Sequence, residues 1–235
     1  MGEDKMMKTV GIIGGMGPMA GVDLAKKIIE ATPANTDQEH VHVILDNNTS
    51  IPDRTAAILE DGKDPTSEIL NTALNLETAG AECLIMGCNT AHYFLPRFKD
   101  KLHVPFFSII EEAARYCHKK EVKCVALLAT EGTLAAGIYD EAMSKYDIQL
   151  IKPDMDQRKV CQDIIYNGVK AGNKDYDTTA FCNVLKDLRA KGAEHFILGC
   201  TETPIAVEMY HIKESFIDPT DIIARRAVEF ARTGK

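Results

Sequence analysis

The sequence lacks the features that would assign it to a membrane-spanning, secreted or nucleic-acid-binding class. No apolar run approaches the roughly 20 residues of a membrane-spanning helix, and residues 1–8 are charged, without the apolar core of a signal peptide. No basic run occurs, and 27 basic against 35 acidic residues give a net charge of −8. Nucleic acid and anionic membranes are therefore unsuitable partners, and we expect a cytoplasmic protein.

The cysteines form no C-x-x-C pair, the usual mark of a structural zinc site. Seven cysteines are present, an odd number with several in apolar stretches, so reduced thiols fit better than disulfides. The histidines are scattered, and only His40 and His42 lie close together, beside a strand. We predict no metal site. Cysteines without a functional context are predicted to be structural: Cys83, Cys117, Cys124, Cys161 and Cys182.

Apolar strand-like runs alternate with longer helical patterns along the chain. The predicted strands are 9–13, 41–45, 83–86, 105–108, 122–129, 148–151 and 195–198. The predicted helices are 18–31, 66–79, 111–119, 132–146, 158–170, 177–190 and 221–232. This alternation predicts an α/β fold with parallel sheets and helices on both faces.

An internal repeat indicates two related halves. Residues 80–91 read Gly-Ala-Glu-Cys-Leu-Ile-Met-Gly-Cys-Asn-Thr-Ala, and residues 192–203 read Gly-Ala-Glu-His-Phe-Ile-Leu-Gly-Cys-Thr-Glu-Thr, 112 positions later. Val10-Gly-Ile-Ile-Gly has a similar echo at Val125-Ala-Leu-Leu-Ala. We predict two similar doubly wound, flavodoxin- or Rossmann-like domains related by a pseudo-twofold axis. They are placed at 1–107 and 108–215, with the C-terminal helix 216–235 packing back on the first.

Each copy of the repeat ends an apolar strand at Gly-Cys and continues with small polar residues. In doubly wound sheets, ligands bind beyond the carboxyl ends of the strands, where a following helix N-terminus favours a thiolate and offers N–H donors to a carboxylate. For either cysteine alone, a buried structural role is the simplest interpretation. The repeated context favours a functional pair, Cys88 and Cys200, facing each other across a cleft if the halves pack about the pseudo-twofold axis.

Two facing acid/base groups suit racemisation. A proton must leave one face of the substrate Cα and return to the other, so one cysteine must be a thiolate and the other a thiol. Their roles exchange for the opposite enantiomer. The carbanion intermediate needs electrostatic help, which helix N-termini and backbone N–H groups would supply.

These motifs resemble those of a known family. Met86-Gly-Cys-Asn-Thr-Ala-His92 and Leu198-Gly-Cys-Thr-Glu-Thr-Pro204 look like the two signature cysteine motifs of the aspartate/glutamate racemases. The glycine-rich opening, Gly11–Pro18, and the segment Asn47–Arg54 are similar to the aspartate racemase branch. The resemblance covers about residues 8–230, and its motifs are more specific to the superfamily than to the substrate.

The resemblance implies a racemase of aspartate, possibly glutamate, that needs no pyridoxal phosphate and forms a homodimer. Cys88 and Cys200 match the catalytic pair, and Arg54 and Lys170 match the residues that bind the distal carboxylate. A guanidinium can bind a carboxylate with two hydrogen bonds, and we expect Arg54 in a polar loop after the second strand. The substrate-binding candidates are Met16, Arg54, Asn89, Thr90, Thr130, Lys170, Thr201 and Glu202.

Three alternatives remain open at this stage. Gly15-x-Gly17-x-x-Ala20 with Asp46 matches a dinucleotide-binding fingerprint, which has many false positives and does not explain the second Gly-Cys copy. Maleate isomerases, arylmalonate decarboxylases and hydantoin racemases share the architecture; the decarboxylases need only one cysteine, and maleate isomerases keep both. The third alternative is a non-catalytic protein that binds an acidic amino acid.

Overall fold

Each half of the chain forms a four-stranded, all-parallel sheet in a computed structural model that describes residues 7–235. The strand order is β2-β1-β3-β4 in the first sheet and β6-β5-β7-β8 in the second, which is the same topology twice. The strands are β1 (Val10–Ile13), β2 (Val43–Asp46), β3 (Cys83–Met86), β4 (Phe106–Phe107), β5 (Cys124–Leu128), β6 (Gln149–Ile151), β7 (His195–Leu198) and β8 (Phe216–Ile217). The predicted α/β class with two similar parallel-sheet units is confirmed.

Helices connect the strands. The α-helices are α1 (Pro18–Ala31), α2 (Arg54–Leu59), α3 (Thr66–Thr78), α4 (Ile109–Lys119), α5 (Glu131–Ala136), α6 (Ile138–Ser144), α7 (Met155–Asp163), α8 (Thr179–Ala190), α9 (Thr203–Met209) and α10 (Pro219–Thr233). The 3₁₀ segments are Asp37–Glu39, Thr90–Arg97 and Lys99–Lys101, and Ile164–Lys170 is a π-helix. No helix among residues 7–235 is long and apolar enough to cross a membrane.

The strands β1, β3 and β5 are buried along their whole length. Parallel strands covered on both faces read as continuous apolar runs, which is why these segments are recognisable in the sequence. Gly11 in β1 allows close packing, because a Cβ there would lie 2.8 Å from both Ala81 Cβ and Leu84 Cδ2.

The chain divides into two compact units whose boundaries differ from the expected ones. Unit 1 comprises the described residues up to Asp53, Asp64–Ile109 and Thr220–Lys235. Unit 2 comprises Arg54–Lys63 and Ile110–Pro219. The segment 54–63, expected in the first half, groups with unit 2 because α2 packs against α5.

Two predicted helices are interrupted. The helix expected over 132–146 is split into α5 and α6 by Gly137, whose φ of +65° lies in the left-handed region that favours glycine. The helix expected over 158–170 ends as α7 at Asp163 and continues as the π-helix. The two-residue strand β8 was not predicted, because so short a run has no readable periodicity.

Candidate active site

The glycine-rich turn and the Cys88 loop leave the first sheet at the same edge. β1 and β3 are neighbours with Ile13 opposite Met86, so the turn that contains Met16 and the loop that contains Cys88 both follow the carboxyl ends of their strands. Met16, Cys88, Asn89 and Thr90 are all buried within unit 1. The 3₁₀ helix Thr90–Arg97 follows the loop in place of the α-helix expected there.

Gly15 is the first residue of the fingerprint-like pattern in this turn. Its φ is +90°, and a Cβ there would lie 2.1 Å from the Asn48 carbonyl oxygen. Glycine is therefore required because the turn packs against the loop after β2. This contact within the protein explains the glycine at position 15 without a bound dinucleotide.

His92 connects the Cys88 loop to the start of α4. Its Nδ1 lies 2.8 Å from the Cys88 carbonyl oxygen, and its Nε2 accepts a hydrogen bond from the Ile109 backbone N–H at 3.3 Å. The ring is also in edge contact with Phe106, at 5.8 Å between centroids. Burial lowers the pKa of His92 to about 4, against the opposing effect of its hydrogen bonds with the backbone of Cys88 and Asn89. The ring is therefore neutral at physiological pH.

The Cys200 loop follows β7 at the equivalent position in unit 2. Gly199 packs closely there, because a Cβ would lie 2.5 Å from Leu127 Cδ1 and that side chain would have to shift. The Cys200 Sγ–H donates to Glu202 Oε2 at 2.9 Å, and the Thr201 hydroxyl makes a longer contact of 3.5 Å with the same oxygen. Cys200, Thr201 and Glu202 are all buried. The loop thus places a thiol and a carboxylate in direct contact.

The Lys170 ammonium is paired with the carboxylate of Glu202. Its Nζ lies 3.9 Å from Glu202 Oε1 and 4.3 Å from the centroid of the Tyr166 ring. Lys170 is the last residue of the π-helix, a rare conformation that often marks functional sites. The Lys170 side chain remains 43% exposed, so its ammonium keeps access to solvent. Unit 2 therefore contains a thiol–carboxylate–ammonium series, Cys200–Glu202–Lys170.

Arg54 begins helix α2, so its expected position in a polar loop is wrong. Pro52-Asp53 before an apolar run is a helix-start signal, and with it the six-residue helix could have been predicted. α2 packs against α5, and Thr130 caps α5 by accepting a hydrogen bond from the Thr133 N–H at 3.4 Å. Thr130 and Cys200 follow neighbouring strands in register, with Leu128 opposite Leu198.

The other five thiols lie outside these two loops. All seven cysteines are free. Burial raises the pKa of Cys83, Cys117 and Cys161 to about 12 and also raises that of Cys124. Among the described residues, no group of three or more histidine, cysteine, aspartate or glutamate side chains could hold a metal ion.

One buried polar group beside the Cys200 loop is not among the predicted site residues. Thr203, the first residue of α9, is 2% exposed. Its Oγ1 has no hydrogen-bond partner among residues 7–235. The signal available in the sequence was a hydroxyl at the start of a short helix, three positions after the cysteine.

The profile of the Asp/Glu/hydantoin racemase family matches residues 13–227. The chain belongs to this family. The expected family, and the class of a racemase-type isomerase, are thereby confirmed.

Individual relatives cover nearly the whole chain. An aspartate racemase from Picrophilus torridus has a similar structure, with a TM-score of 0.83, 31% identity and coverage of 96% of this chain and 94% of that one. An aspartate racemase homologue from Pyrococcus horikoshii OT3 has a TM-score of 0.78 and 26% identity, over 96% of this chain and 100% of that one. A broad-specificity amino-acid racemase from Bacillus subtilis (strain 168) is 25% identical over 225 residues, 93% of this chain and 96% of the relative.

Proposed function

We propose that this family member is a cofactor-independent racemase of an acidic amino acid, aspartate or glutamate, and that Cys88 and Cys200 are its two acid/base groups. The observation that carries the proposal is the repeated placement of a buried free thiol. One such thiol follows β3 in unit 1 and one follows β7 in unit 2, and these two strands are equivalent in the topology of the two sheets. A single buried cysteine is unremarkable, whereas its repetition beyond a strand end marks a ligand-binding position.

The proposed reaction moves one proton in and one proton out. A thiolate takes the Cα proton, so a C–H bond breaks, an S–H bond forms, and the electron pair left on Cα is delocalised into the substrate carboxylate. The second cysteine then donates its proton to the opposite face of Cα. The enzyme ends with the proton on the other sulfur, and no pyridoxal phosphate is required.

The contact between Cys200 and Glu202 supports a proton-donor role for Cys200 in the resting enzyme. A thiol that donates to a carboxylate carries its proton on sulfur, and the carboxylate opposes a second negative charge beside it. We therefore assign Cys200 as the proton donor of the pair and Cys88 as the group that accepts the proton from Cα. Lys170 balances the charge of Glu202 when the proton leaves.

The proposed substrate contacts follow the chemistry of the side chains. Arg54 and Lys170 would bind the distal carboxylate, since a dicarboxylate needs a second cationic partner. Asn89, Thr90 and Thr201 would bind the α-carboxylate and α-amino group. Residues in the loops after β1 and β5, Met16 and Thr130, would line the site.

Two further proposals concern the setting of the enzyme. The free thiols fit a reducing compartment such as the cytoplasm, where disulfides rarely form. We also propose a homodimer, which sedimentation of the purified chain would test.

The decisive experiment follows hydrogen exchange at Cα. The protein, without added pyridoxal phosphate, is incubated with L-aspartate or L-glutamate in D₂O while NMR follows the loss of the Cα–H signal and chiral chromatography follows inversion. We expect exchange with inversion, lost in Cys88→Ser and Cys200→Ser. Cys182→Ser, on the outer part of α8, is the matched control and should remain active.

Different outcomes separate the proposal from its alternatives. Inversion that persists in either Ser variant would contradict the two-cysteine mechanism, because inversion needs an acid/base group on each face of Cα. No exchange with either amino acid would contradict the substrate assignment. Maleate turnover would then point to an isomerase, and binding without turnover to an acidic-amino-acid-binding protein.

A further inference from the structure

The Cys88 loop is held by a histidine that does not take part in the proposed proton transfer. We infer that His92 is a positioning residue: its Nδ1–H holds the Cys88 carbonyl while its Nε2 holds the first N–H of α4. This fixes the catalytic loop between two elements. The inference rests on the proposed function for its kinetic consequences, but its structural content can be tested independently.

The two hydrogen bonds select one form of the imidazole. The Ile109 backbone N–H can only donate, so Nε2 must carry a lone pair. The Cys88 carbonyl can only accept, so Nδ1 must carry the hydrogen. The doubly protonated ring would place an N–H against the Ile109 N–H, and the other neutral tautomer would leave both partners unsatisfied. The lowered pKa of His92, about 4, agrees with a ring that stays neutral.

Both partners of His92 are backbone groups that would need another hydrogen-bond partner if the imidazole were absent. The Ile109 N–H belongs to the first turn of α4, where backbone donors have no partner within the helix. His92 thus caps α4 from a different element, 17 positions earlier in the chain. The ring is 5% exposed, so water is a poor substitute for it. Loss of the imidazole would leave two buried polar groups unpaired.

The functional consequence is control of the Cys88 backbone. The backbone N–H of His92 also donates to the Asn89 carbonyl at 3.0 Å, so one residue contacts the loop through both its side chain and its main chain. The Sγ of Cys88 is one bond beyond the Cβ that this backbone carries. A displacement of about 1 Å at a reacting group costs about 100-fold in rate, so loss of the clamp should act on the chemical step.

The test compares three variants that remove different parts of the clamp. His92→Phe keeps a ring for packing and loses both hydrogen bonds. His92→Asn keeps a donor near the position of Nδ1, and His92→Gln keeps an acceptor near that of Nε2. His118→Phe, at an exposed histidine stacked on Tyr146, is the matched control for replacing a histidine with phenylalanine.

Kinetics separate a positioning role from a merely structural one. We expect His92→Phe to lower kcat about 100-fold with KM within about twofold of the native value, and His92→Asn to recover part of the loss. His118→Phe should match the native enzyme. Unchanged kcat in His92→Phe would overturn the inference. So would losses of kcat that simply follow the decrease in melting temperature across the three variants.

Two measurements need no racemase activity, so they distinguish failure of this inference from failure of the proposed function. Proton–nitrogen correlation NMR of the native protein should show His92 as the Nδ1–H tautomer, unchanged between about pH 5 and 8. Mass spectrometry should show that His92→Phe changes the alkylation rate of Cys88 and leaves that of Cys200 unchanged. The opposite tautomer, a titration within that range, or equal effects on both thiols would overturn it.

Discussion

The Cys88 and Cys200 loops follow equivalent strands of the two sheets, β3 and β7. The groups around the two loops nevertheless differ in charge. In unit 1 the loop is fixed by uncharged groups, with a neutral imidazole on the Cys88 backbone. In unit 2 the sulfur of Cys200 itself contacts a charged side chain, that of Glu202. The other carboxylate oxygen of Glu202 lies 3.9 Å from the Lys170 ammonium. A repeated fold therefore does not imply two equivalent thiols. One half orients its cysteine through the backbone and the other sets the charge beside it.

The candidate groups for the substrate divide in the same way. Arg54 groups with unit 2 together with Lys170 and Glu202, whereas unit 1 supplies the uncharged Asn89 and Thr90. Substrate discrimination by charge is therefore expected to reside in unit 2.

The largest effect should come from Arg54. Arg54→Ala is expected to lower kcat/KM for aspartate about 1000-fold, because two charge-assisted hydrogen bonds to the distal carboxylate are lost. Turnover of alanine, which has no distal carboxylate, should not fall. Arg54→Lys keeps the positive charge but loses the planar guanidinium, so its kcat/KM for aspartate should lie between those of the native enzyme and Arg54→Ala. Steady-state kinetics with both substrates checks this, and normal kinetics of Arg54→Ala on aspartate would contradict it.

Glu202 is expected to have the next largest effect. Glu202→Gln removes the charge beside Cys200 and should lower kcat about 100-fold. Cys200 should at the same time become alkylated at lower pH, while Cys88 is unaffected. Glu208→Gln, at an exposed position of α9, the helix that follows Glu202, is the control. If both cysteines changed together, the proposed asymmetry between the loops would be wrong.

His92 should make stability depend on pH. The pKa of His92 falls from 6.5 to about 4 on folding, a shift worth about 3 kcal/mol. Between these values the unfolded chain binds a proton that the folded chain does not, so stability rises with pH through this window and is lost as pH falls through it. The difference in unfolding free energy between native protein and His92→Asn should therefore shrink from pH 7 to pH 4 in urea titrations. A difference that stays constant would exclude a buried neutral imidazole.

The smallest effect should come from Thr203. Thr203→Val removes a buried hydroxyl without a partner among the described residues and should stabilise the protein by about 1 kcal/mol with unchanged kinetics. Thr201→Val, which removes a hydroxyl that contacts Glu202, should not be stabilising. Thermal denaturation compares the two. A raised KM for Thr203→Val would instead mean that this hydroxyl binds the substrate.

The sequence predicted the elements whose signal is local and periodic. The fully buried strands around Val10 and Val125, and the repeated Gly-Cys that follows two strands, needed only apolar runs and spacing. The π-helix that ends at Lys170 could not be predicted from periodicity, because its side chains match an ordinary helix closely. The assignment of Arg54 to unit 2 depends on packing between α2 and α5, which no local pattern encodes.

The role of His92 was out of reach for a similar reason. In the sequence His92 is only the last residue of the first cysteine motif, and no role was predicted for it. Its second partner, Ile109, is brought next to it by the intervening strand β4. The contact between Cys200 and Glu202 was not predicted either, although it spans only two positions, because Glu202 was expected only to bind the substrate.

In unit 1, residues from the early part of the chain contact residues from its late part. The Lys8 backbone N–H donates to the Ala231 carbonyl at 2.9 Å, and the Lys8 ammonium lies 5.7 Å from the centroid of the Phe230 ring. All of unit 2 precedes residue 220. During synthesis, unit 2 is therefore finished before residues 220–235 of unit 1 are added. A chain truncated after residue 219 would thus keep all of unit 2 and expose the surface of unit 1 that α10 covers.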